Sequence, residues 1–316
     1  MSSNEATRSK PVKVIYQSLT IPIPDSFLVI DPLDAKPITA QKVNWRSTPL
    51  PEYDGSYAVV LDNVLSPSEC DTLLQLAEDS VADRGASGTR TWRPALVNFG
   101  AGYEILRKEY RNSDRIVWDN QTVANRLWAR CVRAEGIAEE LAEVVEPWSP
   151  SASSRRGPQV DKKWHFSCVN QRMRFLKYEG GQFFRRESRL LFCYSVWWLI
   201  LMIAAHYDGP YSYSDKGDVY RTHYTIHLYL NDSVAEAGDA QPAPELVGGA
   251  TSFLSPDDHG LKVNVNPKTG RVLIFQHKGL YHSGDEVFAG IKYTMRTDII
   301  YKLFRPSEPA GKAQRG

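Results

Sequence analysis

Histidine and aspartate stand two residues apart in the stretch HYDGPY, as His206 and Asp208. On a strand, residues two apart point to the same face, so this imidazole and this carboxylate can meet one ion together. The competing reading is a surface turn, because Asp-Gly-Pro is strong turn chemistry. A later segment, IFQHKGLYHSGDEV, favours the ion by bringing His277 and His282. An early His-X-Asp followed by a distal His makes a two-histidine, one-carboxylate set. Such a set leaves coordination positions open and suits ferrous iron that must also bind a cosubstrate and O2. Structural zinc would want four protein ligands, with thiolates among them.

Between the two distal histidines, His282 is the expected ligand. It is followed by Lys292 and Arg296, which share one face of a regular strand with Thr294 and Asp298. A base beside the metal can hold the far carboxylate of 2-oxoglutarate. Arg does so with two parallel hydrogen bonds and Lys as a point charge, which puts Arg296 ahead of Lys292. His277 has no such downstream partner and reads as a polar residue in the turn before the ligand.

The elements that must position these residues change character along the chain. Residues 1–55 carry several prolines and read as an extended N-terminal arm. A short apolar strand at 58–61 leads to Ser66-Pro67-Ser68-Glu69, a capping-box start for a helix from Pro67 to about Glu78. A second helix is expected near Thr122–Val144. From residue 170 onward short strands follow: MRFLKY, YTIHLYL, ATSFL, RVLIFQ and KYTMRTDIIYKL, separated by Gly, Asn, Asp and Pro. Helices first and strands after predict an α+β chain: a double-stranded β-helix, or jelly roll, with the N-terminal helices packed on one sheet.

Composition narrows the function classes. A net charge of +1 with no charge block argues against a nucleic-acid or anionic-membrane surface. The four cysteines, Cys70, Cys131, Cys168 and Cys193, form no CxxC pair and read as reduced thiols. The N-terminus has no apolar core of a secretory signal, so a cytoplasmic or nuclear location is expected. Residues 306–316 read as a disordered tail.

Several stretches together resemble the 2-oxoglutarate/Fe(II) dioxygenase superfamily, and within it the prolyl 4-hydroxylase-like group. They are RNSDRIVWDN, NQRMRFLKYEGGQFF, HYDGPY, YTIHLYLND, GGATSFL, GRVLIFQHKGLYHSGDEV and GIKYTMRTDIIY, in the order of that family and covering most of residues 56–303. The resemblance implies a dioxygenase domain over 56–305. His206, Asp208 and His282 would hold Fe(II), with no catalytic residue beyond the metal centre. Lys292 or Arg296 would bind 2-oxoglutarate, Tyr178 would help hold it, and Tyr229 would face the same pocket. O2 is the co-reactant and L-ascorbate the reductant. The reaction implied is hydroxylation or other oxidation of an unactivated C–H bond in a peptidyl-proline or a small molecule, with release of succinate and CO2. The stretch RTWRPALVNFGAGYE at 90–104 would rim the site.

The chain departs from the family pattern at one place. In relatives the Gly-Gln-aromatic stretch runs almost directly into His-X-Asp. Here the segment RESRLLFCYSVWWLILMIAA intervenes, leaving residues 187–205 as excess. Its apolar run from 190 to 205 is shorter than the roughly 18–20 residues a spanning helix needs. It is longer than the roughly ten residues that strands seldom exceed. We read it as an insertion from a retained intron or a gene-model error, not a membrane anchor. The alternative function is a catalytically impaired jelly-roll binding module, or a form inactivated by this insertion.

Overall fold

A computed structural model of the chain describes residues 10–82, 91–100, 102–108, 111–146, 162–184, 206–236 and 243–305. In chain order the elements that matter are β1 (Thr39–Lys42), β2 (Ala58–Asp62), α1 (Pro67–Asp79), β3 (Asp114–Asp119), α2 (Gln121–Cys131), α3 (Ile137–Glu140), β4 (Lys162–Val169), β5 (Arg172–Glu179) and β6 (Phe183–Phe184). Then come β7 (Asp218–Tyr229), β8 (Thr251–Leu254), β9 (Lys262–Val265), β10 (Val272–Gln276), β11 (His282–Gly284) and β12 (Ile291–Leu303).

These strands form two antiparallel sheets. The larger runs β1-β2-β10-β7-β12-β5-β3, with β4 pairing the C-terminal half of β12. The smaller runs β9-β8-β11-β6 and ends on the short strand Arg111–Asn112. The first five strands lie in the larger sheet; from β5 onward the chain passes back and forth between the sheets, with the β8–β9 hairpin in the smaller one, which is the winding of a jelly roll.

Side-chain alternation explains why the long strands of the larger sheet are apolar on both faces. Along β10, Val272 and Ile274 enter one apolar cluster, while Leu273 and Phe275 enter another. The first cluster also takes Cys70, Leu73 and Ala77 of α1 and Val123, Ala124, Leu127 and Cys131 of α2. The second lies between the sheets and joins Leu273 and Phe275 to Phe253, Val265 and Tyr229. Each side chain of this size that leaves water contributes about 1.5–3 kcal/mol. A strand buried on both faces therefore needs no polar alternation to be held in place.

Helix α1 begins as its sequence specifies. Ser66 Oγ accepts from Glu69 N at 3.2 Å, and Ser66 N donates to Glu69 Oε2 at 2.9 Å. The second helix is shorter than the expected 122–144. It ends at Cys131, and the chain turns through Gly136 at φ 80°, a left-handed conformation that favours glycine. Residues 143–146 then form a strand paired with β4. Acidic residues with good helix propensity had masked that strand; pairing against Lys162–His165 decides it.

Part of the stretch expected as an extended arm enters the core. Strand β1 pairs with β2, and Trp45, Leu50 and Tyr53 are buried in the inter-sheet cluster. Residues 1–9, 306–316 and the excess stretch 187–205 lie outside the described residues. No helix among the described residues is long and apolar enough to cross a membrane.

The two flanks of the excess stretch are described, and they meet on one strand. Phe184 pairs with Gly284 of β11. His206 pairs with His282 through two backbone bonds, at 2.7 and 3.0 Å. Moving two residues along β11, from Gly284 to His282, carries the antiparallel partner from position 184 to 186. His206 stands in that place. Its ring packs against Phe184 with centroids 4.5 Å apart.

Candidate metal centre

His206, Asp208 and His282 come together although the last lies 76 positions after the first in sequence. Their ligand atoms all lie within 4.8 Å of one another, and all three side chains are buried. Two strand positions set the histidines. His282 opens β11, and the bridge from His206 to His282 places the two rings side by side, centroids 4.5 Å apart. Asp208, two residues beyond His206, reaches the same point. Its Oδ1 is 3.6 Å from His206 Nε2, and its Oδ2 is 3.7 Å from His282 Nε2.

The donor chemistry fits a divalent metal. His282 Nδ1 lies 3.0 Å from the carbonyl oxygen of Leu280. A carbonyl can only accept, so Nδ1 carries the proton and Nε2 presents its lone pair to the centre. Burial pushes the His282 imidazolium down to about 3, which keeps the ring neutral as a ligand must be. Both ring nitrogens of His206 are buried without a hydrogen-bond partner. An orphaned polar ring at the meeting point of a carboxylate and a second imidazole is what a ligand lacking its metal looks like. Burial alone would raise the Asp208 carboxyl, but Arg296 and the two histidines outweigh it and hold it well below the usual range.

Strand β12 supplies the charges behind this point. Lys292, Thr294, Arg296 and Asp298 share its inward face, as their spacing predicts, and Lys292, Thr294 and Asp298 are fully buried. Arg296 Nη2 donates to Asp208 Oδ2 at 2.7 Å. Lys292 instead sits over two aromatic rings, with Nζ 5.2 Å from the Tyr178 centroid and 5.7 Å from that of Tyr229. Burial pushes its ammonium down to about 8. Tyr178 and Tyr229 are both buried, and burial raises both phenols, so they remain protonated. The Tyr229 hydroxyl donates to Thr251 Oγ1 at 2.6 Å.

A cavity of about 40 Å3 lies among these groups, lined by His206, His282, Tyr178, Lys292 and Arg296 and by residues that the sequence did not single out. Those are Thr225, His227, Thr251, Phe184 and Arg111. Thr225 and His227 lie on the same face of β7 as Tyr229, so alternation from that tyrosine could have found them. Arg111 could not be found this way: it reaches the site through pairing with Phe184, and its guanidinium lies 3.9 Å over that ring. No described residue of the stretch 90–104, expected to rim the site, lines this cavity. Ala95 packs in the Tyr178 cluster, and Thr91, Arg93 and Leu96 line a separate cleft. A larger cleft of about 550 Å3 opens beside Asp208, between Tyr207, Arg221, His223, His277 and Lys278.

No protein-family model and no curated protein matches the chain. Its structural neighbours are prolyl 4-hydroxylases and 2-oxoglutarate-Fe(II) oxygenases. One is the viral collagen prolyl hydroxylase of Paramecium Bursaria Chlorella virus-1 in its 2-oxoglutarate complex. It is 17% identical, with a TM-score of 0.39, over 78% of this chain and 97% of that one. Another is a Pseudomonas putida prolyl-4-hydroxylase, 14% identical with a TM-score of 0.40, over 81% and 96%. A third is a Trichoplax adhaerens prolyl hydroxylase in complex with a peptide fragment of the hypoxia inducible factor oxygen degradation domain. It is 13% identical with a TM-score of 0.42, over 80% and 86%.

Proposed function

We propose that this chain is a 2-oxoglutarate- and Fe(II)-dependent dioxygenase that oxidises an unactivated C–H bond and releases succinate and CO2. The observation that carries the reading is the convergence of two imidazoles and one carboxylate on a single buried point, with both ring nitrogens of His206 lacking a hydrogen-bond partner. Fe(II) held there supplies the electron-transfer and O2 chemistry that the side chains lack. The chain itself binds, orients and keeps out water.

Lys292, rather than Arg296, is the better anchor for the far carboxylate of the cosubstrate. In isolation an Arg fork fits a carboxylate more closely. Here that fork is engaged by Asp208, whereas the Lys292 ammonium lies in the cavity wall with aromatic rings as its close neighbours. A buried, compact charge facing a carboxylate regains on binding the interaction that it loses on burial. The Tyr178 phenol can donate a second hydrogen bond to the same carboxylate. Tyr229, its hydroxyl held by Thr251, shapes the wall.

The cavity of about 40 Å3 brings His206, His282, Lys292 and Tyr178 around one space, where the cosubstrate would sit. The cleft beside Asp208 is the place for the substrate, whether a small molecule or one residue of a peptide. A reductant such as ascorbate would keep the iron ferrous.

Anaerobic titration of Fe(II) and then 2-oxoglutarate into the full chain tests this reading. The expected result is a visible metal-to-ligand charge-transfer band, and succinate formation once O2 is admitted. Folded protein that gives neither the band nor succinate overturns it.

A further inference from the structure

Asp208 has two oxygens, and the surrounding chain treats them differently. Oδ2 accepts from Thr225 Oγ1 at 2.8 Å and from Arg296 Nη2 at 2.7 Å. Oδ1 faces His206 Nε2 at 3.6 Å. With Oδ2 held by two donors, the carboxylate offers a metal one oxygen and not two.

Arg296 is itself held from behind. Its Nη2 is 3.7 Å from Asp298 Oδ1, while Asp298 Oδ2 takes Arg174 Nη1 at 3.2 Å. His277 Nε2 stands 3.6 Å from the same Oδ1. Arg174 and Arg296 are directly opposite each other on β5 and β12. Two like charges in that register repel. Asp298 relieves the repulsion by placing one oxygen toward each guanidinium. The result is a row of alternating sign, Asp208, Arg296, Asp298, Arg174, running from the metal point toward the surface. His277, the other distal histidine, belongs to this row.

We infer that Arg296 is a positioning residue for the metal carboxylate: with Thr225 it fixes Asp208 as a one-oxygen ligand, and it takes no part in holding the cosubstrate. The inference rests on the metal reading above. An Arg296 that turned to a cosubstrate carboxylate would leave Asp208 and Asp298 buried without their shared cation. Supporting groups of this kind set ligand orientation and metal affinity, whereas a cosubstrate anchor sets only the affinity of the cosubstrate.

The test separates these two quantities on the full-length chain. Co(II) affinity is measured by its visible absorption without cosubstrate. Cosubstrate affinity is measured by titrating 2-oxoglutarate at saturating Fe(II) without O2. Arg296→Gln is expected to weaken Co(II) by about 10- to 100-fold. The same variant, once saturated with metal, is expected to bind 2-oxoglutarate as the unmodified chain does. Lys292→Ala is expected to do the reverse, leaving Co(II) unchanged and losing 2-oxoglutarate. Thr225→Val removes the other donor to Oδ2 at nearly constant volume, so it tests the same oxygen if Arg296→Gln does not fold. It is expected to weaken Co(II) in the same direction by a smaller factor. Unchanged Co(II) affinity in folded Arg296→Gln or, where that variant does not fold, in Thr225→Val, or loss of 2-oxoglutarate from metal-saturated Arg296→Gln, overturns the role. Failure of the unmodified chain to take up Co(II) overturns the metal reading itself, and is distinguished by that control.

Discussion

At the scale of single residues, Lys292 carries a cost that its function would explain. Its ammonium, at about 8, lies well below that of a lysine in water, near 10.4. Below pH 8 both the folded and unfolded chains hold the proton, and the folded chain bears the full burial cost. Between pH 8 and 10.4 the folded chain gives up its proton first. The unfolded state then binds more protons, so stability rises with pH across that window. Lys292→Met should therefore stabilise the metal-free chain at pH 7 by about 3 kcal/mol, with the gain shrinking toward pH 10. The same variant should no longer bind 2-oxoglutarate. Denaturant titrations at both pH values check this, and equal stability of the two chains at pH 7 would refute it. The two distal histidines give a second contrast. His282→Ala should weaken Co(II) by more than the roughly 100-fold that a supporting residue commands. His277→Ala should keep most of the affinity, and a reversal of that order would reassign the ligand.

At the scale of elements, the register around β11 makes a prediction about the excess stretch. Phe184 and His206 sit opposite Gly284 and His282, so one residue between them is enough to continue the strand. Deleting residues 186–205 joins Arg185 to His206 and closes that strand without moving either flank. The deletion takes out 20 residues, 186–205, and with them a chain-closure cost on the order of 2–3 kcal/mol. The shortened chain should fold, melt higher and bind Co(II) at least as tightly. A shortened chain that folds but binds no Co(II) would show that the register reading is wrong. Helix α1 offers another case. Glu69 closes the capping box through Oε2, and through Oε1 it accepts from buried Arg130 of α2 at 2.8 Å. Ser66→Ala should cost about 1 kcal/mol as a lost cap. Glu69→Ala should cost more, about 2–4 kcal/mol, because it removes the return bond of the cap and one of the two carboxylates on buried Arg130, leaving Asp31. Denaturant unfolding measures both, and equal losses would mean that the ion pair contributes nothing.

At the scale of the whole molecule, the larger sheet separates two layers with different work. One face meets the helices and carries the larger apolar cluster. The other faces the smaller sheet and holds Lys292, Arg296 and Asp298 toward His206, Asp208 and His282. Leu127→Ala, in α2, should lower unfolding free energy by about 2–5 kcal/mol. It should leave Co(II) affinity unchanged, since the helix layer touches the site only through the sheet. A matched loss of metal affinity would show that the two layers are coupled.

Much of this organisation was legible in the chain. Period-two patterning in the second half placed β5, β7, β8, β10 and β12, because side-chain direction on a strand is set by position alone. The capping box placed α1, because its partners are three residues apart. The three ligand types and the shared face of Lys292 and Arg296 were readable for the same reasons of short range. The end of α2 and the strand at 143–146 were not, because a pairing partner distant in sequence overrode local helix propensity. Nor was the pairing of Asp208 with Arg296, which no local spacing shows. Arg111 entered the site only through a sheet edge. The sequence by itself determined residue types, spacings and strand faces, all of which are properties of neighbours along the chain. Tertiary structure alone decided which charges meet, because Arg174, Arg296 and Asp298 become partners only when β5 lies beside β12, and Asp208 joins them only when the bridge from His206 to β11 carries it there.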